Sequence, residues 1–254
     1  MSFNGLKSDY DRDGYTVVRP FLSDAELAEL SSNLDRYIRE VVPQLPPSDA
    51  FYDDVIRPET LRQLHRMSQD AWFEAYRTHP KWVALAESLV GEKCVAFEPE
   101  WFNKPPLSTK GTPPHQDNYY FCYQPCHVVT IWLALDPVDD ENACVRYVPG
   151  SHRLPTRPHA RGGVLGFSQQ ISDYGPADAA REVPIHLQPG DAMAHHGNTI
   201  HLAGANRSAT RHRRAFAMVF RGESCRRDDD AFARYQASAK AQQQSLGVAI
   251  TAAP

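Results

Sequence analysis

The tripeptide His115-Gln116-Asp117 constrains this chain more than any other stretch, because a second histidine, His201, and an arginine, Arg213, follow it far downstream. Side chains at i and i+2 of a β-strand point to one face, so a strand here brings His115 and Asp117 to the same ion and turns Gln116 away. The second imidazole then has to come from another strand, laid alongside only once the sheet has folded. An arginine on the strand after it can hold the far end of a dicarboxylate through a bidentate, charge-assisted pair. Taken alone, His-x-Asp is a weak signal, since a surface loop carries two polar residues just as easily.

The surroundings of the motif strengthen it. Pro113 and Pro114 precede it, and the run Asn118-Tyr119-Tyr120-Phe121 follows. His127 to Leu135 reads as a long strand, Asp136 to Asn142 as an acidic turn, Cys144 to Val148 as a further strand and Pro149-Gly150-Ser151-His152 as a tight turn. Two imidazoles and one carboxylate are the ligand set of mononuclear non-haem Fe(II) oxygenases, which keep coordination positions open.

Phe102-Asn103-Lys104-Pro105-Pro106, His115-Gln116-Asp117, Thr130-Ile131-Trp132, Val148-Pro149-Gly150-Ser151-His152 and Ile200-His201 through Arg213-Arg214-Ala215 together resemble the phytanoyl-CoA dioxygenase family. Asp13-Gly14-Tyr15-Thr16-Val17-Val18 and Phe21-Leu22-Ser23 resemble the family's opening strand and helix start. The resemblance runs from about residue 8 to about residue 222. It implies Fe(II) held by His115, Asp117 and His201, with 2-oxoglutarate as co-substrate and O2 as oxidant. It implies Arg213 on the distal carboxylate of 2-oxoglutarate, with the Thr130 hydroxyl helping. Trp132 packs beside the co-substrate on that reading, although a core tryptophan is the simpler account. Asn103 and Lys104 fall on a strand resembling one that lines the family's pocket. Hydroxylation of an aliphatic C–H is the implied outcome, with release of succinate and CO2. Halogenating relatives replace the carboxylate ligand with a small residue, and Asp117 is retained here. The family spans acyl-CoA, amino-acid, phosphonate and natural-product substrates, so the resemblance does not select one.

Eleven histidines leave the distal ligand with competitors, and His195, His196 and His201 all follow the turn Pro189-Gly190-Asp191. The resemblance favours His201, which follows Ile200 and precedes Gly204 and Asn206; His196 then reads as a packed or supporting histidine. Arg207, Arg211 and Arg214 compete with Arg213. Alternation puts Arg213 with Ala215, Ala217 and Val219, small enough to line a cavity, and Arg214 with Phe216, Met218 and Phe220, suited to packing under helices. The spacing from His201 leaves Arg214 possible.

A chain of 254 residues with 42% hydrophobic content can bury one large core. A net charge of −4 argues against a nucleic-acid surface. The five cysteines are scattered, and the one close pair, Cys122 and Cys126, lacks the second pair a structural zinc site needs. They read as reduced thiols, which with the absence of a signal-like or membrane-spanning apolar run points to a cytoplasmic protein. The chain ends Thr251-Ala252-Ala253-Pro254 and not in Ser-Lys-Leu.

The expected architecture is mainly β with flanking helices: a double-stranded β-helix, jelly-roll or cupin-like, with N-terminal helices packed outside it. One domain is expected, with a helical part over about 1–92, the β core over about 93–222 and a C-terminal helix with a flexible tail over about 226–254. Ser23-Asp24-Ala25-Glu26 forms a capping box, and Leu27, Leu30, Leu34 and Ile38 recur at helical spacing after it. Residues 43–58 read as a proline-rich loop, Pro58 to about Tyr76 and Pro80 to Val90 as two helices, and 153–182 as a long loop over the mouth of the fold. Arg146, Arg157, Arg161, Arg207 and Arg211 place positive charge around that mouth, with Tyr119, Tyr120, Phe121 and Tyr123 as walls; this favours a small polar or anionic substrate. Two other readings stay open, a non-catalytic 2-oxoglutarate or metal sensor and a cupin-like metal hydrolase or isomerase. Neither heptads nor an apolar face indicates an oligomeric state.

Overall fold

The structure, a computed structural model, describes residue 3 and residues 5–164 and 167–245. The N-terminal part runs through α1 (Leu6–Asp13), β1 (Tyr15–Val18), α2 (Asp24–Glu40), β2 (Ala50–Tyr52), β3 (Leu61–Leu64), α3 (Ala71–Tyr76) and α4 (Pro80–Val90). Then come β4 (Cys94–Ala96), β5 (Glu100–Lys104), β6 (Thr112–His115), α5 (Asn118–Phe121), β7 (Tyr123–Gln124), β8 (Val128–Ala134) and β9 (Val145–Tyr147). A hairpin of β10 (His159–Val164) and β11 (Phe167–Ile171) precedes α6 (Pro176–Ala179). The remainder is β12 (Val183–Pro184), β13 (Ala192–His196), β14 (His201–Ala203), β15 (Arg213–Gly222), β16 (Arg226–Arg227) and α7 (Asp229–Ser245).

Two antiparallel sheets carry the fold. The larger has the order β1-β13-β8-β15-β5-β3-β2, with β4 also paired to β15, and the smaller has the order β12-β9-β14-β6. From β8 to β15 the chain passes repeatedly between the two sheets, the pattern of a double-stranded β-helix. Trp132, Met193, Ala215 and Ala217 of the larger sheet pack with Val145 and Tyr147 of the smaller in one buried cluster. The outer face of the larger sheet presents Ile131, Leu133, Phe216, Met218 and Phe220 to the helices. Trp82 of α4 meets Phe216 edge-on with ring centroids 5.7 Å apart, which seats that helix on the sheet.

The expected capping box is present: Ser23 Oγ accepts from the Glu26 amide, and Glu26 Oε2 accepts from the Ser23 amide at 2.7 Å. Leu30, Leu34 and Tyr37 are the buried residues of α2, with Leu27 and Ile38 packed beside them. Three assignments change. Residues 43–58 contain β2, and the expected helix from Pro58 to Tyr76 is helical only over α3 and short 3-10 turns, because Gln63 and Leu64 pair with Phe102 and Trp101 of β5. Pairing to a sheet edge outweighs local propensity there. Residues 153–182 hold the β10–β11 hairpin and α6 in place of a loop, since antiparallel pairing satisfies their backbone groups locally. The C-terminal helix forms as α7, and the tail expected after it lies outside the described residues. Among the described residues no helix is long and apolar enough to cross a membrane.

Candidate metal centre and co-substrate cavity

His115 ends β6, His201 begins β14, and the two are direct cross-strand partners with ring centroids 4.1 Å apart. Each ring is oriented by its own backbone two residues earlier: His115 Nδ1 lies 2.8 Å from the Pro113 carbonyl, and His201 Nδ1 lies 3.0 Å from the Thr199 carbonyl. A carbonyl accepts only from N–H, so both rings carry the proton on Nδ1 and present Nε2 inward. Both Nε2 atoms stand 3.5 Å from Asp117 Oδ1. The three residues offer ligand atoms that all lie within 4.8 Å of one another.

Asp117 reaches this point by a route that differs from the expectation. It is not on the strand: its backbone is right-handed helical at φ −57 and ψ −37, as the cap of α5. The chain turns at Gln116, whose buried amide donates to the Asn198 carbonyl and accepts from the Arg157 amide. The i, i+2 alternation of a strand therefore does not produce the site; a strand end followed by a helical turn does. Burial alone would raise the Asp117 carboxyl, yet His201, His115 and His195 outweigh it and hold it well below the ordinary range. Burial first, and then His115 and His195, keep the His201 imidazolium unfavourable, so the ring stays neutral. A neutral imidazole beside a carboxylate is the protonation state a divalent ion requires.

The second oxygen of Asp117 is also held. Thr130 donates its hydroxyl to Oδ2 at 2.7 Å, and His195 Nε2 lies 3.0 Å from the same atom. The Tyr147 hydroxyl in turn lies 2.8 Å from His195 Nδ1. Thr130 thus spends its hydroxyl on Asp117, where assistance to the arginine was expected. Sequence reasoning treated His195 as a competing ligand and gave Tyr147 no role. His196, anticipated as packed or supporting, lies on the opposite face of β13 beside Tyr10 and His152. The register that sets His195 against Thr130 decides which of the two neighbours points inward.

Arg213 lies on the same inner face, 5% exposed, with its guanidinium 5.2 Å from the centre of the Trp132 ring. Its Nε is buried without a hydrogen-bond partner, and among the described residues no carboxylate pairs with it. Burial, reinforced by Arg62, pulls it down to about 10. Lys104 is its cross-strand partner and is 2% exposed, with Nζ donating to the Lys110 carbonyl. Arg214, the competitor, points outward and pairs with Asp136 through Nε and Nη2. Asn103 is buried and lines the cavity, with its amide donating to the Leu61 carbonyl and its oxygen facing His212 Nδ1 at 3.2 Å. The His–Asp–His group, Arg213, Lys104, Trp132 and Thr130 all line one cavity of about 220 Å³. A buried cation with no anionic partner costs free energy that a bound carboxylate would remove. The donor set thus fits a divalent ion with a dicarboxylate beside it.

The arginines expected at the mouth are largely neutralised. Arg146 pairs with Asp140, Arg157 with Asp173 and Asp178, and Arg211 with Asp139 and Glu141. Of the expected aromatic walls, Tyr120 and Phe121 line the cavity, Tyr119 lines a neighbouring pocket, and Tyr123 packs with Val128, Val219 and Phe121 without reaching the cavity.

Two antiparallel sheets enclosing two imidazoles, a carboxylate and a buried arginine that pairs with no carboxylate among the described residues define the class of non-haem iron, 2-oxoglutarate-dependent oxygenases. The family model described as Phytanoyl-CoA dioxygenase (PhyH) matches residues 10–215, and the chain belongs to that family. It is 28% identical over 230 residues to the peroxisomal phytanoyl-CoA dioxygenase of Bos taurus, covering 85% of this chain and 67% of the relative. The Rattus norvegicus enzyme of the same name is 29% identical over 215 residues, covering 78% of this chain and 62% of the relative. The chain therefore spans about two thirds of the length of these relatives. Among solved structures, the epimerase SnoN in complex with Fe3+, alpha ketoglutarate and nogalamycin RO superposes with a TM-score of 0.69 at 26% identity, covering 87% of this chain and 84% of that one.

Proposed function

We propose that this protein is an Fe(II)- and 2-oxoglutarate-dependent dioxygenase that hydroxylates an aliphatic C–H of a small molecule, releasing succinate and CO2. The observation that carries the reading is the shared cavity: a His–Asp–His cluster and a buried, anion-seeking Arg213 face the same 220 Å³ space. His115, Asp117 and His201 would hold the iron, and Arg213, with Lys104 beside it, would hold the distal carboxylate of 2-oxoglutarate. Bound iron with 2-oxoglutarate and O2 supplies the oxidising power for C–H cleavage. The chain's own residues do the rest. Two backbone carbonyls set the imidazole tautomers, Thr130 and His195 fix the carboxylate, and Trp132 backs the guanidinium. Phe102, Tyr120, Phe121 and Val219 are apolar walls that keep the reacting carbon away from water. The carboxylate-paired arginines of the rim offer little free charge to a substrate, and inside the cavity Arg62 is likewise paired, with Asp53, while burial pushes the Lys104 ammonium well below its usual range.

Hydroxylation is the simplest outcome, while the epimerase SnoN shows a similar fold directed to a different one. Arg213 speaks against a metal hydrolase, which has no use for a dicarboxylate clamp. The test is succinate release from 2-oxoglutarate by anaerobically Fe(II)-loaded protein on admission of O2. Wild type is expected to turn over slowly without a prime substrate, His115→Ala not at all, and Arg213→Ala only at 2-oxoglutarate concentrations raised roughly 10²-fold or more, the size of a lost buried charge pair. Tight 2-oxoglutarate binding with no succinate under any substrate panel would mark a sensor instead.

A further inference from the structure

The reaction cavity is smaller than its inferred job requires. At about 220 Å³ it lies below the roughly 300–1,000 Å³ of sites that bury drug-sized ligands, and 2-oxoglutarate has to share it with the substrate. One wall comes from outside the family-matched stretch, which ends at residue 215: Tyr235 of α7 lines the cavity together with the His–Asp–His group. Its ring centroid is 5.5 Å from that of Tyr120, which is itself 5.8 Å from that of His115. Tyr235 is thus one aromatic ring removed from the metal cluster.

The same residue also lines a second cavity of about 350 Å³, bounded by Asn118, Tyr119, Thr156, Arg157 and Arg234. Tyr235 therefore stands as a partition between an inner reaction cavity and an outer pocket. The partition is anchored at one buried polar residue. Gln169 of β11, 1% exposed, donates its amide to Ser238 Oγ at 2.9 Å, one helical turn beyond Tyr235. Its backbone carbonyl accepts the Tyr120 hydroxyl at 2.8 Å, so one strand residue ties the helix and the aromatic wall together.

We propose that Tyr235 is a specificity-determining residue: its ring closes the inner cavity against the outer pocket and sets the bulk of any group admitted beside the metal. Substrates with a small reacting end fit as the wall stands, and larger ones reach the outer pocket only by displacing the ring. The inference rests on the reading that the cavity binds 2-oxoglutarate, and its test separates the two. Mn(II)-loaded protein is titrated calorimetrically with N-oxalylglycine, a 2-oxoglutarate mimic, and with both enantiomers of N-oxalylphenylalanine, whose benzyl group projects from the chelate. Wild type is expected to bind N-oxalylglycine and to discriminate against the bulky ligands. Tyr235→Ala should narrow that Kd ratio at least tenfold while changing N-oxalylglycine affinity less than threefold, and Tyr235→Phe should keep the wild-type ratio. No binding of N-oxalylglycine by wild type overturns the co-substrate reading itself. An unchanged ratio in Tyr235→Ala, or equal weakening of every ligand, overturns the role of Tyr235 alone. If Tyr235→Ala shows no cooperative melt, Ser238→Ala loosens the same wall without touching the cavity lining, and the same ratio must move in the same direction.

Discussion

His195 supports the candidate site through the carboxylate of Asp117. It lies 3.0 Å from the Asp117 oxygen that does not face the imidazoles, and Tyr147 orients its other nitrogen. Removing such a supporting partner typically costs 10–100-fold in metal affinity. His195→Ala is therefore expected to weaken Mn(II) binding by roughly that factor in calorimetric titration, with His196→Ala close to wild type. Equal effects of the two substitutions would remove the distinction. His115, Asp117 and His201 were legible because ligand chemistry restricts residue type and the surrounding motifs are ordered. His195 was not, because adjacent histidines on a strand differ only in which face they take, and the pairing of β13 with β8 decides that. The same alternation, readable along β15, did separate Arg213 from Arg214, since small residues follow one and large aromatics the other.

At the scale of elements, α2 begins where its capping box says it should, and its first turn is tied to α4. Lys81 donates to both Glu26 oxygens, and this bond, with those from Ser23, lowers the Glu26 carboxyl to about 2. A carboxylate whose folded value lies below its unfolded value near 4.5 stabilises the fold above that pH, and the contribution fades as pH falls toward 2. Glu26→Gln should therefore be less stable than wild type at pH 7, by no more than about 1 kcal/mol for a partly exposed pair. The difference should shrink steadily in chemical denaturation between roughly pH 5 and pH 2, the window of that titration. A gap that does not narrow between roughly pH 5 and pH 2 would mean that packing, not charge, carries the effect. Capping chemistry is local, which is why α2 was readable. β3 was not, because its strand state comes from an edge of β5 distant in the chain.

For the whole molecule, His115, Asp117 and His201 tie together separate parts of the smaller sheet and the turn into α5. An ion bound there should stabilise the fold by mass action, by about 2.7 kcal/mol at a free concentration one hundred times Kd. Mn(II) should accordingly raise the melting temperature of wild type, as read by calorimetry, and leave that of His201→Ala unchanged. A rise of equal size in both would place the ion elsewhere. The sequence alone determined the ligand types, the alternating inner face of β15, the start of α2 and the jelly-roll class, because each follows from local periodicity or from chemistry that tolerates few residues. Only the tertiary structure decided that Asp117 arrives on a helical turn, that Thr130 and His195 hold that carboxylate, that Arg146, Arg157 and Arg211 are paired with carboxylates, and that α7 carries Tyr235 into the lining of the cavity. Those outcomes depend on which distant strands pair and in what register, and register is set by the packing of two whole sheets rather than by any single stretch of chain.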